Sequence, residues 1–423
     1  MAMWRMTSLP WSTVSLISWH RPSFAEKASS SARYVRLFKQ PSTEFTQPTR
    51  TSSPQVRQTS PTPQHVSLQP IVASKKVSTH VLPDDKPLNI ETPSDSSFPW
   101  DGGESQRSLL LLDGNAILYR AYFKIMAKVQ YGSLKDMGSE ADWVLTVFTA
   151  LSTMIRLLDT KPTHVAAAFD YKGLTFRHEL YPAYKSGRAP TPDTVCQALS
   201  CLKPALLSLG ISVVEVAGVE ADDAIAAFAV RAVDAGMHVS IASPDKDFFQ
   251  IISPRLRLLR FVPRGSGIVP FGVKEFQKRF GDIQPWQYLE VLALMGDKVD
   301  NIPGLPGVGE VTALKLVKEY GTVENLLENR DKVKLKRPRE SLMADDGGIL
   351  MSKKLLSLRL DLPNHMLPYS LGDLRCQSPK DNGDQFIKLI KAMSAYVDPS
   401  ISEELLDRAS QLWEKWNSLN SIL

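Results

Sequence analysis

Acidic residues follow three short apolar segments of this sequence. They are Asp113 after SLLLL, Asp170 after HVAAAF, and Asp245 with Asp247 after HVSIASP. Several carboxylates in one crevice repel each other unless cations neutralise them, and hard oxygen ligands suit Mg²⁺ or Mn²⁺. If the three segments end side by side, the pattern indicates a site for divalent metal ions.

Two more acidic clusters add to this set. Glu220, Asp222 and Asp223 begin a predicted helix, where N-capping alone would explain one or two acids but hardly three. Asp297 and Asp300 are spaced i, i+3, which places both on one face if that segment is helical. No His or Cys accompanies the nine acids, which argues against zinc. Two divalent ions about 4 Å apart would support two-metal hydrolysis of a phosphodiester.

The elements that must position these acids alternate in type. Apolar strand-like segments are followed by helix-like segments such as ADDAIAAFAVRAVDAG (221–236), which predicts an α/β fold with a mainly parallel sheet. Ligand sites of such sheets lie beyond the carboxyl ends of the strands, so the acids should converge at one edge. Beyond about residue 274 the pattern changes to helices joined by short turns, which predicts a smaller helical subdomain.

Basic and aromatic residues alternate in the segment 175–193. Arg177, Lys185 and Arg188 lie among Phe176, Tyr181 and Tyr184, a combination that can contact phosphates and stack on the bases of a single strand. Prolines make a continuous helix unfavourable there, so we expect a loop or arch. A solvated surface segment is the alternative interpretation.

A glycine-rich turn precedes a predicted helix in IPGLPGVGEVTA (302–313). Gly304, Gly307 and Gly309 would let backbone N–H groups and the helix N-terminus bind a phosphate without reading base sequence. A plain helix–helix connection would look the same. The position directly after Asp297 and Asp300 favours the phosphate-binding interpretation.

The N-terminal quarter has a different composition. Residues 1–43 are rich in Arg and Ser with Glu26 as their one acid, as in organellar transit peptides, and 44–104 is a Pro-, Ser- and Thr-rich predicted linker. A disordered basic tail is the alternative for the first segment. Residues 1–107 hold 12 Lys and Arg against 8 Asp and Glu, which leaves 38 against 37 for the rest. The bulk charge of the remainder therefore says nothing about an acidic partner.

Two other classes of protein are disfavoured. The three cysteines, Cys196, Cys201 and Cys376, lack the paired spacing of a disulfide framework or a zinc site. No stretch approaches the roughly 18 apolar residues of a membrane span. We therefore expect a chain that acts in a reducing compartment without a membrane, and we expect a monomer.

Five ordered motifs, LLDGNAILYRAYF, FDYKGLTFRHELYPAYKSGR, GVEADDAIAAFA, DKDFFQII and LMGDKVDNIPGLPGVGE, resemble the 5′-nuclease domain of bacterial family A DNA polymerases and the wider flap endonuclease family. The resemblance runs from about Leu109 to Pro363. It implies a PIN-like α/β domain with a helical arch at 105–273 and a helix–hairpin–helix subdomain at 274–363. Residues 364–423 lie outside the resemblance, and we expect them to form a C-terminal helical extension. LDRASQLWEKWNSL (406–419) could pack on the core or bind a partner.

The resemblance also assigns residues. The family's metal-site acids fall on Asp113, Asp170, Glu220, Asp222, Asp223, Asp245, Asp247, Asp297 and Asp300, and its phosphate-positioning arch residues fall on Lys185 and Arg188. Two Mg²⁺ or Mn²⁺ ions are implied, with a K⁺ at the hairpin. The DNA-contact candidates are Arg177, Tyr184, Gly304, Gly307, Gly309 and Thr312. This sequence departs from the family at Val311, where Lys is common, and at Pro244, where a small residue is common.

We therefore expect a stand-alone, metal-dependent 5′–3′ exonuclease and flap endonuclease. Its expected substrates are DNA with 5′ ends or flaps, including RNA primers on DNA, in a mitochondrion or plastid beside an organellar DNA polymerase. Two hypotheses of other classes remain open at this point: a branched-DNA-binding scaffold without catalysis, and a PIN-type RNA-processing nuclease.

Overall fold

The computed structural model describes residues 107–131, 139–262 and 267–422. The predicted transit peptide (1–43) and the predicted linker (44–104) lie outside these residues.

A six-stranded sheet forms the centre of the fold, in the order β3-β2-β1-β4-β5-β6. The first five strands are parallel and β6 is antiparallel to β5, which confirms the predicted α/β fold with a mainly parallel sheet. The strands are β1 (Ser108–Asp113), β2 (His164–Ala168), β3 (Ser212–Val214), β4 (His238–Ala242), β5 (Leu256–Phe261) and β6 (Ile268–Phe271).

Both faces of the sheet are covered, which is why the central strands are apolar throughout. Alternate residues of β1 serve different cores: Leu109 and Leu111 pack with one cluster, Leu110 and Leu112 with the other. The first cluster includes α5 (Ala221–Asp234). The second includes α1 (Gly114–Gln130), α2 (Ser139–Leu157) and α4 (Asp193–Leu209).

Three strands were not predicted from the sequence. β3 has three residues, too few to show a period. In β5, Arg257 and Arg260 are three residues apart and enclose two buried leucines, which is not the period of two that a half-buried strand shows. β6 contains Pro270, which removes a backbone donor and is tolerated because β6 lies at the edge of the sheet. Period and composition alone could not identify these strands.

The helical subdomain follows the sheet in the chain. Its helices are α6 (Val273–Phe280), α7 (Tyr288–Met295), α8 (Glu310–Tyr320), α9 (Val323–Glu328), α10 (Lys336–Ala344) and α11 (Gly348–Leu356). Lys353 on α11 lies 2.8 Å from both Glu290 on α7 and Glu324 on α9. Glu290 also accepts a hydrogen bond from the backbone N–H of Val323, so one buried carboxylate joins three helices.

The C-terminal segment packs on the sheet domain rather than standing apart. Its helices are α12 (Asp384–Met393) and α13 (Pro399–Ile422), and the apolar side of α13 contacts α2. Trp416 is buried, and the indole N–H of Trp413 donates to the backbone oxygen of Leu209 at 3.0 Å. Of the two roles open for 406–419, packing on the core is the one this structure shows.

Helix α2 is the one described helix long and apolar enough to cross a membrane by composition. Val144, Val147, Phe148 and Leu151 on it are fully buried in the protein. A core helix of a folded domain passes the same test, and this burial accounts for its apolar character.

Candidate metal and DNA site

The ends of β2, β1 and β4 lie side by side, and each is followed by acids of the predicted site. Asp113 caps α1: its Oδ1 accepts from the N–H of Ala116 at 2.9 Å and its Oδ2 from the hydroxyl of Ser243 at 2.7 Å. Asp170 accepts from the N–H of Ala221, the first residue of α5, at 2.9 Å. The parallel sheet therefore brings these acids to one edge, as the sequence predicted.

The carboxylates at this edge disfavour each other's ionisation. The pKa of Asp113 is raised to about 6: burial is the largest cause, repulsion from Asp245 and Asp170 adds to it, and its two hydrogen bonds oppose it. Burial also raises the pKa of Asp222 well above its ordinary value, and Asp113, Asp245 and Asp170 contribute repulsion. Asp222 therefore faces the same cleft from the first turn of α5.

The loop after β4 adds two acids to this cleft. Burial raises the pKa of Asp245, and it raises that of Asp247 more strongly, with repulsion from Asp245, Asp297 and Asp300. The Oδ1 atom of Asp247 is buried without a hydrogen-bond partner in the structure. A buried carboxylate oxygen of this kind costs free energy unless a cation or donor satisfies it, so the donor set fits a hard divalent ion.

The acids do not yet form a compact ligand set. Within the described ranges, no three acidic, histidine or cysteine side chains are arranged as a complete metal-binding group. Hydrogen bonds inside the protein hold several carboxylates, among them the 2.5 Å bond from the amide of Asn115 to Asp170. The structure thus supports a cleft of converging acids and leaves the roles of individual ligands as predictions.

Asp297 and Asp300 do not lie on a helix, so the condition under which their i, i+3 spacing would place them on one helical face is not met. Helix α7 ends at Met295, and a turn follows that is closed by a bridge between Asp297 and Ile302. Asp297 accepts from the N–H of Val299 at 2.8 Å, and Asp300 lies in the same turn. The i, i+3 spacing still brings the two acids together, but a carboxylate-stabilised turn is the cause.

Two cations of the predicted arch meet this cleft. Lys185 Nζ lies 2.7 Å from Glu220 Oε1, and the guanidinium of Arg188 pairs with Asp300. Although burial would raise the pKa of Glu220, Lys185 and Arg177 lower it. Lys185 and Arg188 therefore lie at the rim of the acid cleft, where their positive charges could pair with the negative charge of a phosphate.

Two predicted DNA contacts are buried, which corrects their assignment. Tyr184 is 4% exposed and donates its hydroxyl to Glu220 at 3.0 Å. Arg177 is 3% exposed and forms a two-pronged ion pair with Asp223. Neither side chain is presented to a ligand in solvent, and Asp223 uses both oxygens inside the protein. The alternation of cations and aromatics could not distinguish inward from outward positions.

The segment 175–193 also differs from a long helical arch. It contains the five-residue helix α3 (Phe176–Leu180), followed by turns at 182–187 and an irregular segment up to the start of α4. Pro182 lies in the turns, and Pro190 and Pro192 lie in the irregular segment, in agreement with the expected loop.

The glycines of the hairpin serve different purposes. A Cβ at Gly304 would lie 2.6 Å from the backbone nitrogen of Gly296, so Gly304 permits two backbones to cross. At Gly307, with φ +78°, and at Gly309, the N-cap of α8, a Cβ would meet nothing. An open groove of about 690 Å³ runs along 303–309, with Lys298 and Tyr181 at its side. Gly307 and Gly309 remain suited to a phosphate, whereas Gly304 is structural.

Three other positions complete the comparison with the predictions. Thr312 is half-buried in the first turn of α8, and Val311 beside it is 69% exposed. Pro244 is exposed in the loop that carries Asp245. The departures at 244 and 311 therefore change surface positions and displace no acid.

Sequence reasoning missed two groups of residues near the candidate site. Ser243 bridges the cleft by donating to Asp113 and accepting from the N–H of Asp245 at 3.1 Å, and Asn115 holds Asp170. Polar residues beside predicted ligands were the available signal. The second group is a run of cations: residues 330–340 contain six Lys or Arg and two acids. Composition alone would have identified it.

Comparisons with known proteins agree with this architecture. Residues 108–281 match the model of the 5′-3′ exonuclease, N-terminal resolvase-like domain, and residues 283–382 match that of the 5′-3′ exonuclease, C-terminal SAM fold. The chain belongs to the 5′-3′ exonuclease family.

Similar curated proteins include bacterial DNA polymerases. A thermostable DNA polymerase I of Thermus filiformis is 36% identical over 264 residues, which is 62% of this chain and 30% of the relative. DNA polymerase I of Mycobacterium tuberculosis is 37% identical over 265 residues, 62% of this chain and 28% of the relative. The chain thus spans about a third or less of these relatives.

One similar solved structure is the T5 5′-exonuclease with bound zinc. It is 19% identical with a TM-score of 0.49, over 72% of this chain and 100% of that one.

The boundary between the two family models, at residue 282, lies after α6, whereas the sequence placed the subdomain boundary at 273.

Proposed function

We propose that the protein is a metal-dependent 5′-nuclease that hydrolyses phosphodiester bonds of DNA at or near 5′ ends and flaps. The observation that carries this proposal is the convergence of acids from β1, β2, β4 and α5 on one edge of the sheet in a chain of the 5′-3′ exonuclease family. A non-catalytic binder of DNA gains nothing from acids that would face phosphates.

The carboxylates define where divalent ions would bind. Asp247 has a buried oxygen without a partner, and Asp113, Asp222 and Asp245 repel one another. Bound Mg²⁺ or Mn²⁺ would neutralise this repulsion and would supply an activated water and stabilisation of the leaving oxygen. Asp170, Glu220, Asp297 and Asp300 surround the same cleft and complete the candidate set.

The protein's own cations would hold the phosphate of the bond to be cut. The side chain of Arg188 is 48% exposed, so it can turn from Asp300 to a phosphate. Lys185 has φ +56° and its N–H donates to the backbone oxygen of Asp300 at 2.9 Å, which fixes its backbone beside the acids. These residues would orient the phosphate.

The hairpin and its surroundings would bind the duplex through phosphates. Gly307 and Gly309 leave the backbone open at the N-terminus of α8, where the hairpin would hold a phosphate together with a K⁺ that supplies positive charge. Next to the hairpin lies a basic surface, defined here as Arg330, Lys332, Lys334, Lys336, Arg337 and Arg339. Ser341, one helical turn beyond Arg337, donates to the backbone oxygen of Pro306, which joins α10 to the hairpin.

Most of the basic surface is free to bind anions. Its six side chains belong to exposed residues, and Lys336 makes one long pair with Glu340, 4.0 Å apart. Arg330, Lys334, Arg337 and Arg339 form no ion pair with another described residue. Recognition through phosphates alone would follow the shape of the DNA rather than its base sequence.

We propose further that the protein acts in a mitochondrion or plastid, on DNA flaps and primer ends left by an organellar DNA polymerase. The acid-poor, Arg- and Ser-rich composition of residues 1–43 supports this location. Fusion of residues 1–104 to a fluorescent protein tests it; diffuse cytosolic fluorescence would contradict it.

The nuclease proposal is tested by incubating the purified full chain with a 5′-labelled DNA flap duplex, with Mg²⁺ and then with EDTA, and sizing the products. Metal-dependent release of the flap is the expected result. Tight binding without cleavage by the unmodified protein would favour the scaffold. Faster cleavage of a matched RNA flap would favour the RNA-processing nuclease.

A further inference from the structure

The guanidinium of Arg177 is saturated with acceptors. Its Nε donates to the backbone oxygen of Leu355 at 2.7 Å, and its Nη1 donates to Asp223 at 2.6 Å and to Glu220 at 3.1 Å. Its Nη2 donates to Asp223 at 2.9 Å and to the backbone oxygen of Ser357 at 3.0 Å. An arginine has five N–H donors, so none is left for a phosphate.

Asp223 is equally committed inside the protein. Its side chain is fully buried, both oxygens accept from Arg177, and Oδ1 also accepts from the N–H of Arg359 at 2.9 Å. Neighbouring residues of a helix point about 100° apart, and the hydrogen bonds of Asp223 direct its carboxylate to Arg177 and Arg359. Asp222 faces the cleft, and Asp223 faces Arg177.

These contacts join three parts of the molecule. Arg177 belongs to α3, close in the chain to Lys185; Asp223 belongs to α5 of the sheet domain; and the turn 355–359 ends α11 of the helical subdomain. Arg359 also lies over the ring of Phe176 at 5.0 Å. The hairpin and the acid cleft therefore keep their relative position partly through this one buried pair.

We propose that Asp223 is a positioning residue and not a metal ligand: with Arg177 it forms an interdomain joint that aligns the duplex-binding subdomain with the acid cleft. The proposal rests on the nuclease function proposed above. Arg177 also holds Glu220 Oε2, so the joint orients one acid of the cleft as well.

The first test counts bound metal ions without DNA. Mn²⁺ is titrated into the unmodified full chain, Asp223→Asn and Asp222→Asn by calorimetry. We expect Asp223→Asn to bind as many ions as the unmodified chain, and Asp222→Asn to lose an ion or bind it at least tenfold more weakly. Loss of an ion in Asp223→Asn would make Asp223 a ligand and would overturn the proposal. This count requires no cleavage, so it stands even if DNA is not the substrate.

The second test measures alignment through the substrate. Two flap substrates are compared by their kcat/KM. In one the downstream duplex is too short to reach the hairpin, and in the other it is long enough. In the unmodified protein we expect the longer duplex to be cut more efficiently. In Asp223→Asn we expect this preference to fall several-fold, whereas a lost ligand would slow both substrates equally. An unchanged preference together with an unchanged ion count would overturn the positioning role.

A double variant separates alignment from folding. Asp223→Asn alone leaves the buried Arg177 charge partly uncompensated and should lower Tm. Arg177→Met with Asp223→Leu removes both charges and should restore part of the Tm, because no unpaired arginine charge remains. The backbone oxygens of Leu355 and Ser357 lose their donor in this variant, so the recovery should be incomplete. The preference for the longer duplex should stay lost. Its recovery together with Tm would assign the pair to stability alone and overturn the proposal.

Discussion

The acid cleft and the basic surface differ in charge, burial and state of pairing. The cleft places Asp113, Asp222 and Asp247 in surroundings that raise their pKa values, whereas the cations at 330–339 are exposed to solvent. Buried charges interact strongly and are little screened by salt, while exposed charges are screened within about 10 Å at 0.1 M salt. We therefore expect the cleft to govern chemistry and the basic surface to govern affinity and its salt dependence.

The largest effect should come from neutralising two acids of the cleft. Replacing Asp245 and Asp247 with Asn should lower kcat on a DNA flap by on the order of 10³-fold or more, because transition-state stabilisation worth several kcal/mol is lost. DNA binding in EDTA should be retained, since neither residue belongs to the basic surface. Retained Mg²⁺-dependent cleavage would refute the proposed site.

The pH dependence of stability should reveal the repulsion in the cleft. The pKa of Asp113 is raised to about 6 in the folded state, from 3.8. The fold therefore favours the neutral form of this carboxyl. As pH rises from about 4 to about 6, the carboxyl ionises more readily in the unfolded chain than in the folded one, and the free energy of unfolding falls. Above about pH 6 the loss is complete and amounts to about 3 kcal/mol. In EDTA, Tm should therefore fall between about pH 4 and 6.

An Asp113→Asn variant provides the control for this prediction. Asparagine can still accept the hydrogen bond from Ala116, but it cannot ionise. The fall of Tm between about pH 4 and 6 should be smaller in this variant. A fall as steep as in the unmodified protein would show that other groups cause it.

A smaller effect should follow from removing cations of the basic surface. Lys334, Arg337 and Arg339, replaced together with Ala, should reduce the slope of log Kobs against log salt by up to about 0.9 per lost phosphate contact. Affinity for a duplex should fall roughly tenfold at moderate salt, with kcat at saturating DNA unchanged. The matched control replaces Lys388, Lys391 and Lys415, exposed residues of α12 and α13. Equal slopes in both variants would remove the basic surface from DNA binding.

The smallest effect should come from adding one cation. Val311 is exposed in the first turn of α8, beside the hairpin. A Val311→Lys change should steepen the salt dependence by about 0.9 if it gains one phosphate contact, with a several-fold gain in affinity. Binding isotherms at several salt concentrations would measure both, and no change in slope would mean that position 311 does not reach the DNA.

The sequence predicted the parts of the fold and site that depend on local pattern. Buried parallel strands read as apolar runs, so β1, β2 and β4 and the acids after them could be identified in advance. The same holds for α13, whose apolar residues recur with helical spacing. The family models confirm the two-part division of the nuclease region.

The parts that escaped prediction depend on distant partners. Asp222 and Asp223 are indistinguishable by type and position, and only Arg177, distant in sequence, separates their roles. Arg177 and Arg188 likewise share a type, yet one is buried among acceptors and the other is half-exposed. Residue type in a motif indicates which chemistry is available, whereas burial and pairing decide which residue carries it out.

The crossing of Gly296 and Gly304 has a mechanical consequence. A Cβ at Gly296 would lie 2.5 Å from the backbone oxygen of Ile302, and the N–H of Leu305 donates to the backbone oxygen of Leu294. The two backbone segments are therefore in direct contact, with no side chain between them. The turn with Asp297 and Asp300 and the start of the hairpin therefore move as one piece. A tilt of the hairpin would displace Asp297 and Asp300 with it, because no side chain between the two segments can absorb the movement.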